Sequence, residues 1–369
     1  MTNLADQTPA IRHPLAGSSF TNLLPILSNN QLTEPFYINK ALKIALVSLS
    51  NLPFCILEQL VFGRQTDKTE IVETPIFIIG HWRSGTTYLH RVMVQDDNFG
   101  YVSSSQAYLP QSFLVASKFG KNRLDKIWPQ TRDMDNMNYS PDVPEEEEHA
   151  LSSILSLAFY HCMYFPQNMQ RLFEQSVLMK SITQKDLAVW QKVYMQIIKK
   201  ATFASGNKQL ILKNPANTGR IKQILEIFPN AKFVYIYRNP YDVFASTQNF
   251  YNKALSKYSL QKIDREKLKE NILDFYIQLI EKYHLDKKHI PEENLIEIKY
   301  EDFEKNELSI MEKIYKKFNL SNFEIASHNM QKYIDSQTNY QKNNYVLNEQ
   351  TKQEIALRWD FAIERWQAS

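Results

Sequence analysis

Charged and hydroxyl side chains at two separate places in the chain have the spacing of anion sites. The first is the segment R-S-G-T-T from Arg83 to Thr87, and Gly80 and Gly85 bracket its turn. Backbone amides in such a turn, with arginine and hydroxyl donors beside them, bind phosphate-like groups. The lysine that a nucleotide triphosphatase carries after its second glycine is missing. The loop therefore predicts one phosphate carrying one more anionic group rather than a triphosphate.

The second place is R-N-P-Y-D-V-F-A-S, from Arg238 to Ser246. An arginine at a strand end and a hydroxyl two helical turns later could both donate to a second, separate phosphate. An alternative is structural, with Arg238 paired to Asp242 and Ser246 only packed in the core.

Apolar strands position both segments. Pro75 to Ile79 leads into the first and Lys232 to Tyr237 into the second, while Asn239-Pro240 stops the second strand and starts a helix. Further strands are predicted at Gln209 to Leu212, Phe99 to Ser103 and Leu295 to Tyr300. Helices between them predict a parallel sheet flanked by helices, with ligands at its carboxyl edge. Residues 106–205 and 253–291 are predicted to be helical insertions that enclose a substrate.

The two segments, in this order, resemble the motifs of sulfotransferases that use 3′-phosphoadenosine 5′-phosphosulfate (PAPS). Other blocks are similar to a bacterial-type branch of that family: G-H-W-R-S-G-T-T-Y-L-H, M-D-N-M, P-E-E-E-E-H-A-L, L-K-N-P-A-N-T-G-R-I and Y-E-D-F. The resemblance implies a three-layer P-loop-like α/β fold. It also implies in-line transfer of a sulfuryl group from PAPS to an acceptor hydroxyl, with no metal.

The resemblance assigns the donor site residue by residue. The backbone amides of Ser84, Gly85, Thr86 and Thr87, with the side chains of Arg83, Thr86 and Thr87, would hold the 5′-phosphosulfate. Arg238 and Ser246 would hold the 3′-phosphate, and Lys342, in a late basic loop, would add a cation to it.

Lys213 follows the strand at Gln209 to Leu212, where the family has a lysine near the bridging oxygen of the donor. Its alternative role is that of a solvated lysine at a strand end. The related sequences usually show histidine where this chain has Asn217, so an acid/base role there is in doubt. An N-cap of a helix from Thr218 to Phe228 is the structural alternative.

The acidic run Glu145 to Glu148 offers a general base for the acceptor hydroxyl. If a helix begins near Pro144, Glu147 projects onto the middle of its apolar face, Glu146 and Glu148 lie on the flanks, and Glu145 points away. Glu147 is the first candidate and Glu146 the second, since burial among carboxylates would favour proton uptake. An acidic capping box beginning at Asp142 has equal weight.

Composition indicates an ordered enzyme. The chain has 369 residues, 43% of them hydrophobic, and a formal net charge of +3 that gives no reason to expect nucleic-acid binding. Two distant cysteines, Cys55 and Cys162, fit a reducing compartment and predict a cytoplasmic protein. No motif identifies the acceptor, which could be a small molecule or a lipid, or the oligomeric state.

An N-terminal arm and apolar helical segment is predicted over 1–70, and a sulfotransferase domain over 71–369. Residues 41–62 are apolar but their longest charge-free run is short for a membrane span. Burial and attachment to a membrane surface, at its inner face, have equal weight. The rival functions are a P-loop kinase of a small metabolite and a non-catalytic membrane-surface protein with a degenerate loop.

Overall fold

A computed structural model describes residues 9–32, 34–131, 138–337 and 345–368. The chain forms two compact units. The first contains Met1–Ile71, Val102–Asn207 and Phe250–Leu268, and the second contains Val72–Tyr101, Lys208–Asn249 and Lys269–Ser369.

The second unit contains a sheet of five parallel strands, in the order β2-β3-β1-β4-β5. The strands are β1 (Ile76–Gly80), β2 (Phe99–Gly100), β3 (Gln209–Lys213), β4 (Lys232–Tyr237) and β5 (Leu295–Lys299). The predicted parallel sheet is confirmed, although β2 is shorter than the predicted strand. The two strands that lead into the anion motifs, β1 and β4, are direct neighbours.

Helices occupy most of the remaining described chain. They are α1 (Phe20–Ser28), α2 (Pro35–Asp67), α3 (Thr86–Met93), α4 (Ser104–Tyr108), α5 (Phe113–Ile127), α6 (Glu147–Ile154), α7 (Met169–Ser176), α8 (Gln184–Ala204), α9 (Ile221–Ile227), α10 (Pro240–Tyr258), α11 (Arg265–Asp286), α12 (Tyr300–Lys305), α13 (Glu307–Phe318), α14 (Phe323–Ser336), α15 (Glu349–Arg358) and α16 (Asp360–Ala368). The two predicted insertions are thus largely helical.

Both faces of the sheet are covered, because side chains alternate along each strand. On one face, Ile76 and Ile78 of β1 join a buried cluster with residues of α3, α12, α13 and α14. On the other face, the Phe77 ring packs against Phe233, and Tyr235 of β4 stacks on Tyr283 of α11 with ring centroids 3.7 Å apart. These layers hold the carboxyl ends of β1 and β4 in register.

Helix α2, which lies in the predicted N-terminal segment over residues 1–70, bonds to helices from later in the chain. Glu58 of α2 is buried and accepts hydrogen bonds from the amides of Leu114 (2.7 Å) and Val115 (3.2 Å), and it forms an ion pair with Lys200 of α8. A buried carboxylate needs such partners, because burying an unpaired charge is costly. These bonds join α2 to α5 and α8, so the compact first unit includes later parts of the chain.

Candidate active site

The loop between β1 and α3 has a backbone that only particular residues adopt. Gly80, Arg83 and Gly85 have φ of 147°, 70° and 98°. A Cβ on Gly80 would lie 2.3 Å from the Ile236 carbonyl oxygen, and one on Gly85 would lie 2.1 Å from a ring carbon of Tyr300. Both glycines are therefore required by conformation and by space. The loop turns the chain from β1 into the first turn of α3, whose amides have no partner within the helix.

Two hydroxyl groups fix the shape of this loop. Thr218 Oγ1 accepts from the Gly80 amide at 2.8 Å and donates to the Gly80 carbonyl at 2.9 Å. Ser84 Oγ donates to the carbonyl oxygens of His81 and Ile236, at 2.7 and 3.0 Å, and the Ser84 amide also donates to His81. The structure thus places Ser84 in the internal bonding of the loop. Sequence reasoning missed Thr218, since it lies 138 positions from its partner.

One hydrogen bond connects the two anion motifs. Arg83 Nε donates to Ser246 Oγ at 3.0 Å. Ser246 lies on α10, the helix that follows β4, and is 5% exposed. The first-motif arginine and the second-motif serine are therefore in direct contact within the second unit.

Arg238 stands at the carboxyl end of β4. Its guanidinium lies over the Tyr300 ring at 4.7 Å from the centroid, and it donates to Asp242 at 3.2 Å. Its Nε is buried without a hydrogen-bond partner among the described residues. The backbone after it is held by Glu301, which accepts from the Asn239 amide at 3.0 Å. The predicted alternative pairing with Asp242 is thus present, and the guanidinium also has an aromatic contact.

Tyr300 contacts both anion motifs, and the sequence did not identify it as a site residue. Its ring carbons occupy the position next to Gly85 where a Cβ would otherwise project, and the Arg238 guanidinium lies over the ring. The Tyr300 hydroxyl donates to Glu304 at 2.7 Å. The available signal was the Y-E-D-F block directly after β5, at the same sheet edge as both motifs.

Lys213 ends β3 and is 1% exposed, so it is not the solvated lysine of the alternative interpretation. It pairs in register with Ile78 of β1, two residues before Gly80. Asn217 does not cap a helix, and that expectation was wrong. Residues 215–219 form a 3₁₀ turn capped by Asn214, α9 begins only at Ile221, and Asn217 Oδ1 accepts from the Arg220 side chain at 3.4 Å.

The acidic run begins its helix later than predicted. Helix α6 starts at Glu147, with Glu146 as an N-cap that makes no side-chain capping bond. The reason is tertiary pairing: the Glu145 amide donates to the Val102 carbonyl at 2.8 Å, and Pro144 bridges Ser103. The chain therefore stays extended through Glu146, and the predicted capping box does not form.

All four carboxylates of this run are buried in the first unit. Glu147, with no exposed surface, accepts from the Tyr194 hydroxyl at 2.9 Å. Glu146, 8% exposed, accepts from the Tyr160 hydroxyl. Glu148 and Glu145 accept from the Phe159 amide (2.7 Å) and the Tyr139 hydroxyl (3.2 Å). The prediction that Glu145 points away from the buried face was therefore wrong. Tyrosine hydroxyls on the first two candidate bases were not foreseen.

Histidines near these segments have structural partners. His81 is buried beside the loop, where burial lowers its pKa to about 4, and its Nδ1 lies 2.7 Å from the Trp82 carbonyl oxygen. Burial also lowers the pKa of His161, whose ring nitrogens face the carbonyls of Ser152 and Ser156. Both rings are thus neutral at neutral pH.

Lys342, predicted for the second anion site, lies outside the described residues. The described chain resumes at Tyr345, whose hydroxyl accepts from Asn249 of α10 at 3.3 Å. Asn249 is three positions beyond Ser246.

Comparisons with known proteins agree with this geometry. Residues 75–324 match a model of the sulfotransferase family. The chain is 28% identical over 320 residues to the omega-hydroxy-beta-dihydromenaquinone-9 sulfotransferase Stf3 of Mycobacterium bovis and of Mycobacterium tuberculosis, covering 87% of this chain and 82% of the relative.

Two solved structures share the fold. Sulfotransferase STF9 from Mycobacterium avium has a TM-score of 0.70 at 14% identity, covering 93% of this chain and 89% of the other. Sulfotransferase STF1 from Mycobacterium tuberculosis has a TM-score of 0.63 at 16% identity, covering 91% and 89%. The matched family model spans most of the chain and contains both anion motifs, so this protein belongs to the sulfotransferase family and is an enzyme of that class.

Proposed function

We propose that this sulfotransferase uses PAPS as its donor and transfers the sulfuryl group to the hydroxyl of a hydrophobic, lipid-borne alcohol. The observation that carries the donor assignment is the bond from Arg83 to Ser246, because it joins the first anion motif to a hydroxyl group of the second. PAPS carries two separate anionic groups on one nucleotide, so it fits two separate anion motifs better than a triphosphate does.

In this proposal the 5′-phosphosulfate lies on the amides of Gly85, Thr86 and Thr87 at the start of α3. The positive end of the helix and the Arg83 guanidinium favour an anion there. Ser84 shapes the loop through its two carbonyl bonds.

The 3′-phosphate would be held by Arg238 and Ser246, with Lys342 as a third donor. The unpartnered, buried Nε of Arg238 supports this assignment, since a buried donor without an acceptor is unfavourable until an anion provides one. Stacking on Tyr300 would hold the guanidinium plane in place when the phosphate arrives.

Bound PAPS supplies an activated sulfuryl group. The acceptor oxygen bonds to sulfur as the bond from sulfur to the bridging oxygen breaks, and adenosine 3′,5′-bisphosphate leaves. Lys213 would neutralise charge that develops on that leaving oxygen, and the loop amides would stabilise the sulfuryl oxygens. The acceptor proton would pass to a carboxylate.

Glu147 is the first candidate for that carboxylate and Glu146 the second. A Glu147→Gln change should lower turnover by about 10²–10⁴ if Glu147 is the base. Stability should change little, because the glutamine oxygen can still accept from Tyr194. Two matched controls are Glu148→Gln, which alters a carboxylate on the Phe159 amide, and Tyr194→Phe, which keeps the Glu147 carboxylate. Transfer within a few-fold of wild type would move the assignment to Glu146, tested by Glu146→Gln.

The acceptor proposal rests on the relatives. The mycobacterial relatives are named for action on an omega-hydroxylated menaquinone, a lipid quinone, and their similarity covers most of this chain. We infer an acceptor of that chemical class, a hydroxyl on an isoprenoid or similar apolar chain. A cytoplasmic enzyme would meet such a molecule at the inner face of a membrane.

A thermal-shift comparison tests the donor. Adenosine 3′,5′-bisphosphate at 100 times its Kd should add about 2.7 kcal/mol of apparent stability, whereas ATP with Mg²⁺ should add much less. The reverse order would favour the kinase alternative. The acceptor is tested by transfer of labelled sulfate from PAPS into hydroxylated quinones and short-chain alcohols. Labelling of neither, together with no response to the bisphosphate, would contradict both the donor and the acceptor proposed here.

A further inference from the structure

Helix α2 leaves much of its apolar surface exposed although several of its polar residues are buried. Its buried side includes the polar residues Ser48, Glu58 and Thr66. Large aliphatic residues are exposed along the helix, and the following six, at helical spacing, are here called the outer face of α2: Leu42, Leu46, Leu49, Ile56, Leu57 and Leu60. Leu46 is 67% exposed and Leu60 is 78% exposed. A helix in contact with water normally turns such residues inward.

The polar residues of the inward side are bonded to the first unit. Ser48 Oγ donates to the Ser18 carbonyl at 2.6 Å, and Glu58 accepts from two amides of α5 and pairs with Lys200. Near its start, Lys40 donates to the Lys257 and Ser259 carbonyls at 2.7 and 3.2 Å. Helix α2 is therefore bonded to the first unit at several positions along its length.

This attachment decides how α2 could meet a membrane. Its length and composition would allow it to cross one, and only 17% of its most apolar 18-residue window is buried. Crossing would carry the bonded parts of the first unit into hydrocarbon, where their exposed polar groups would lose water. Lying in the plane of the interface requires only that the outer face of α2 be immersed.

Charge around the outer face indicates the kind of partner. Between Lys43 and Arg64, no exposed residue of α2 carries a charge. Lys43 and Arg64, both exposed, mark the two ends of this stretch. Aliphatic residues edged by cations complement hydrocarbon beneath anionic headgroups.

A second copy of the chain fits this face less well. In an antiparallel two-fold pairing centred on the stretch between Lys43 and Arg64, Lys43 of one copy would face Arg64 of the other, since the interface would be isologous. Two cations would then meet at each end, and like charges across an interface are unfavourable.

We propose that the outer face of α2 docks the enzyme in the plane of an anionic phospholipid bilayer. The inference deepens the proposed function, because it would bring the enzyme to the membrane that holds a lipid-borne acceptor. It does not depend on the donor assignment.

Flotation with vesicles tests the docking. The full-length protein should float with vesicles of phosphatidylglycerol and phosphatidylcholine, and binding should weaken with phosphatidylcholine alone. The double change Leu46→Glu/Leu60→Glu should reduce the bound fraction by about tenfold or more, since it places carboxylates in the immersed face. The matched control is Leu357→Glu on α15, where the leucine is 82% exposed, and it should float like wild type.

Each outcome supports or overturns the docking. Wild-type protein that stays unbound, or a double variant that floats as well as wild type, would overturn it. A dimer in sedimentation that the double change dissociates, with no vesicle binding, would instead assign the face to a second copy. Thermal shift with adenosine 3′,5′-bisphosphate is measured on the same variants. A normal thermal shift in a variant that no longer floats shows that the variant is folded. If wild-type protein shows no thermal shift with the bisphosphate, the donor proposal is refuted, independently of the docking.

Discussion

Replacing Gly85 by alanine should destabilise the protein through two separable effects. The φ of 98° should cost about 1–2 kcal/mol for a residue with a Cβ. The new Cβ would lie 2.1 Å from Tyr300, so the ring or the loop must move, at a further cost of about 1–3 kcal/mol. We therefore expect the free energy of unfolding in urea to fall by about 2–5 kcal/mol. The response to adenosine 3′,5′-bisphosphate should be lost, because the loop amides are displaced.

Two other glycines separate the cost of the backbone conformation from the cost of the contact with Tyr300. Gly206 has a φ of 75° with nothing near its Cβ position, so Gly206→Ala should cost only about 1–2 kcal/mol. Gly120 has a φ of −139° and open space, so Gly120→Ala should change stability by less than about 1 kcal/mol. Equal losses at Gly85 and Gly206 would refute the conclusion that Tyr300 is the wall of the loop.

Three further changes test contacts within one unit or the other. Thr218→Val removes both partners of the Gly80 amide and carbonyl, so the free energy of unfolding should fall by about 1–3 kcal/mol, as urea titration would show. Burial lowers the pKa of His13 to about 3, so the unfolded chain takes up a proton near pH 6.5 and the folded chain does not. Stability from this group is nearly complete at pH 7.5, and about 2 kcal/mol of it should be lost as the pH falls from 7.5 to 5, a loss absent in His13→Gln. Lys200→Met leaves Glu58 buried without its cation and should lower stability by about 3 kcal/mol, measured by urea unfolding.

The controls for these changes keep part of each contact. Thr218→Ser retains the hydroxyl and should stay within about 1 kcal/mol of wild type. Glu58→Gln combined with Lys200→Met removes the charge with its partner and should be less destabilising than Lys200→Met alone. A pH profile of stability that is identical in His13→Gln and wild type would contradict the neutral, buried imidazole.

Strand and loop chemistry could be predicted from sequence because its determinants are local. The apolar run before Gly80 and the Asn239-Pro240 stop fix where β1 and β4 end. Parallel strands that end at one edge bring their following segments together, which is why Arg83 and Ser246 were expected at one ligand. Their direct hydrogen bond required the structure.

The missed features depend on distant partners. Tyr300 lies 215 positions after Gly85, and nothing near either residue in the chain signals their contact. Helix α6 begins at Glu147 because the Val102 carbonyl binds the Glu145 amide, a tertiary bond that overrode local capping preference. The apolar stretch of α2 was visible in the sequence, but which side of the helix faces solvent is set by the partners of Glu58.

Calorimetric binding of two nucleotides to wild type and Arg238→Ala tests the donor site most directly. The ligands are adenosine 3′,5′-bisphosphate and adenosine 5′-monophosphate, which differ only in the 3′-phosphate. Loss of a charge-assisted bond of about 1.5–3 kcal/mol should weaken the bisphosphate by about 10–100-fold and leave the monophosphate within about threefold. Equal weakening of both ligands, or no weakening of either, would contradict the assignment of the 3′-phosphate to Arg238.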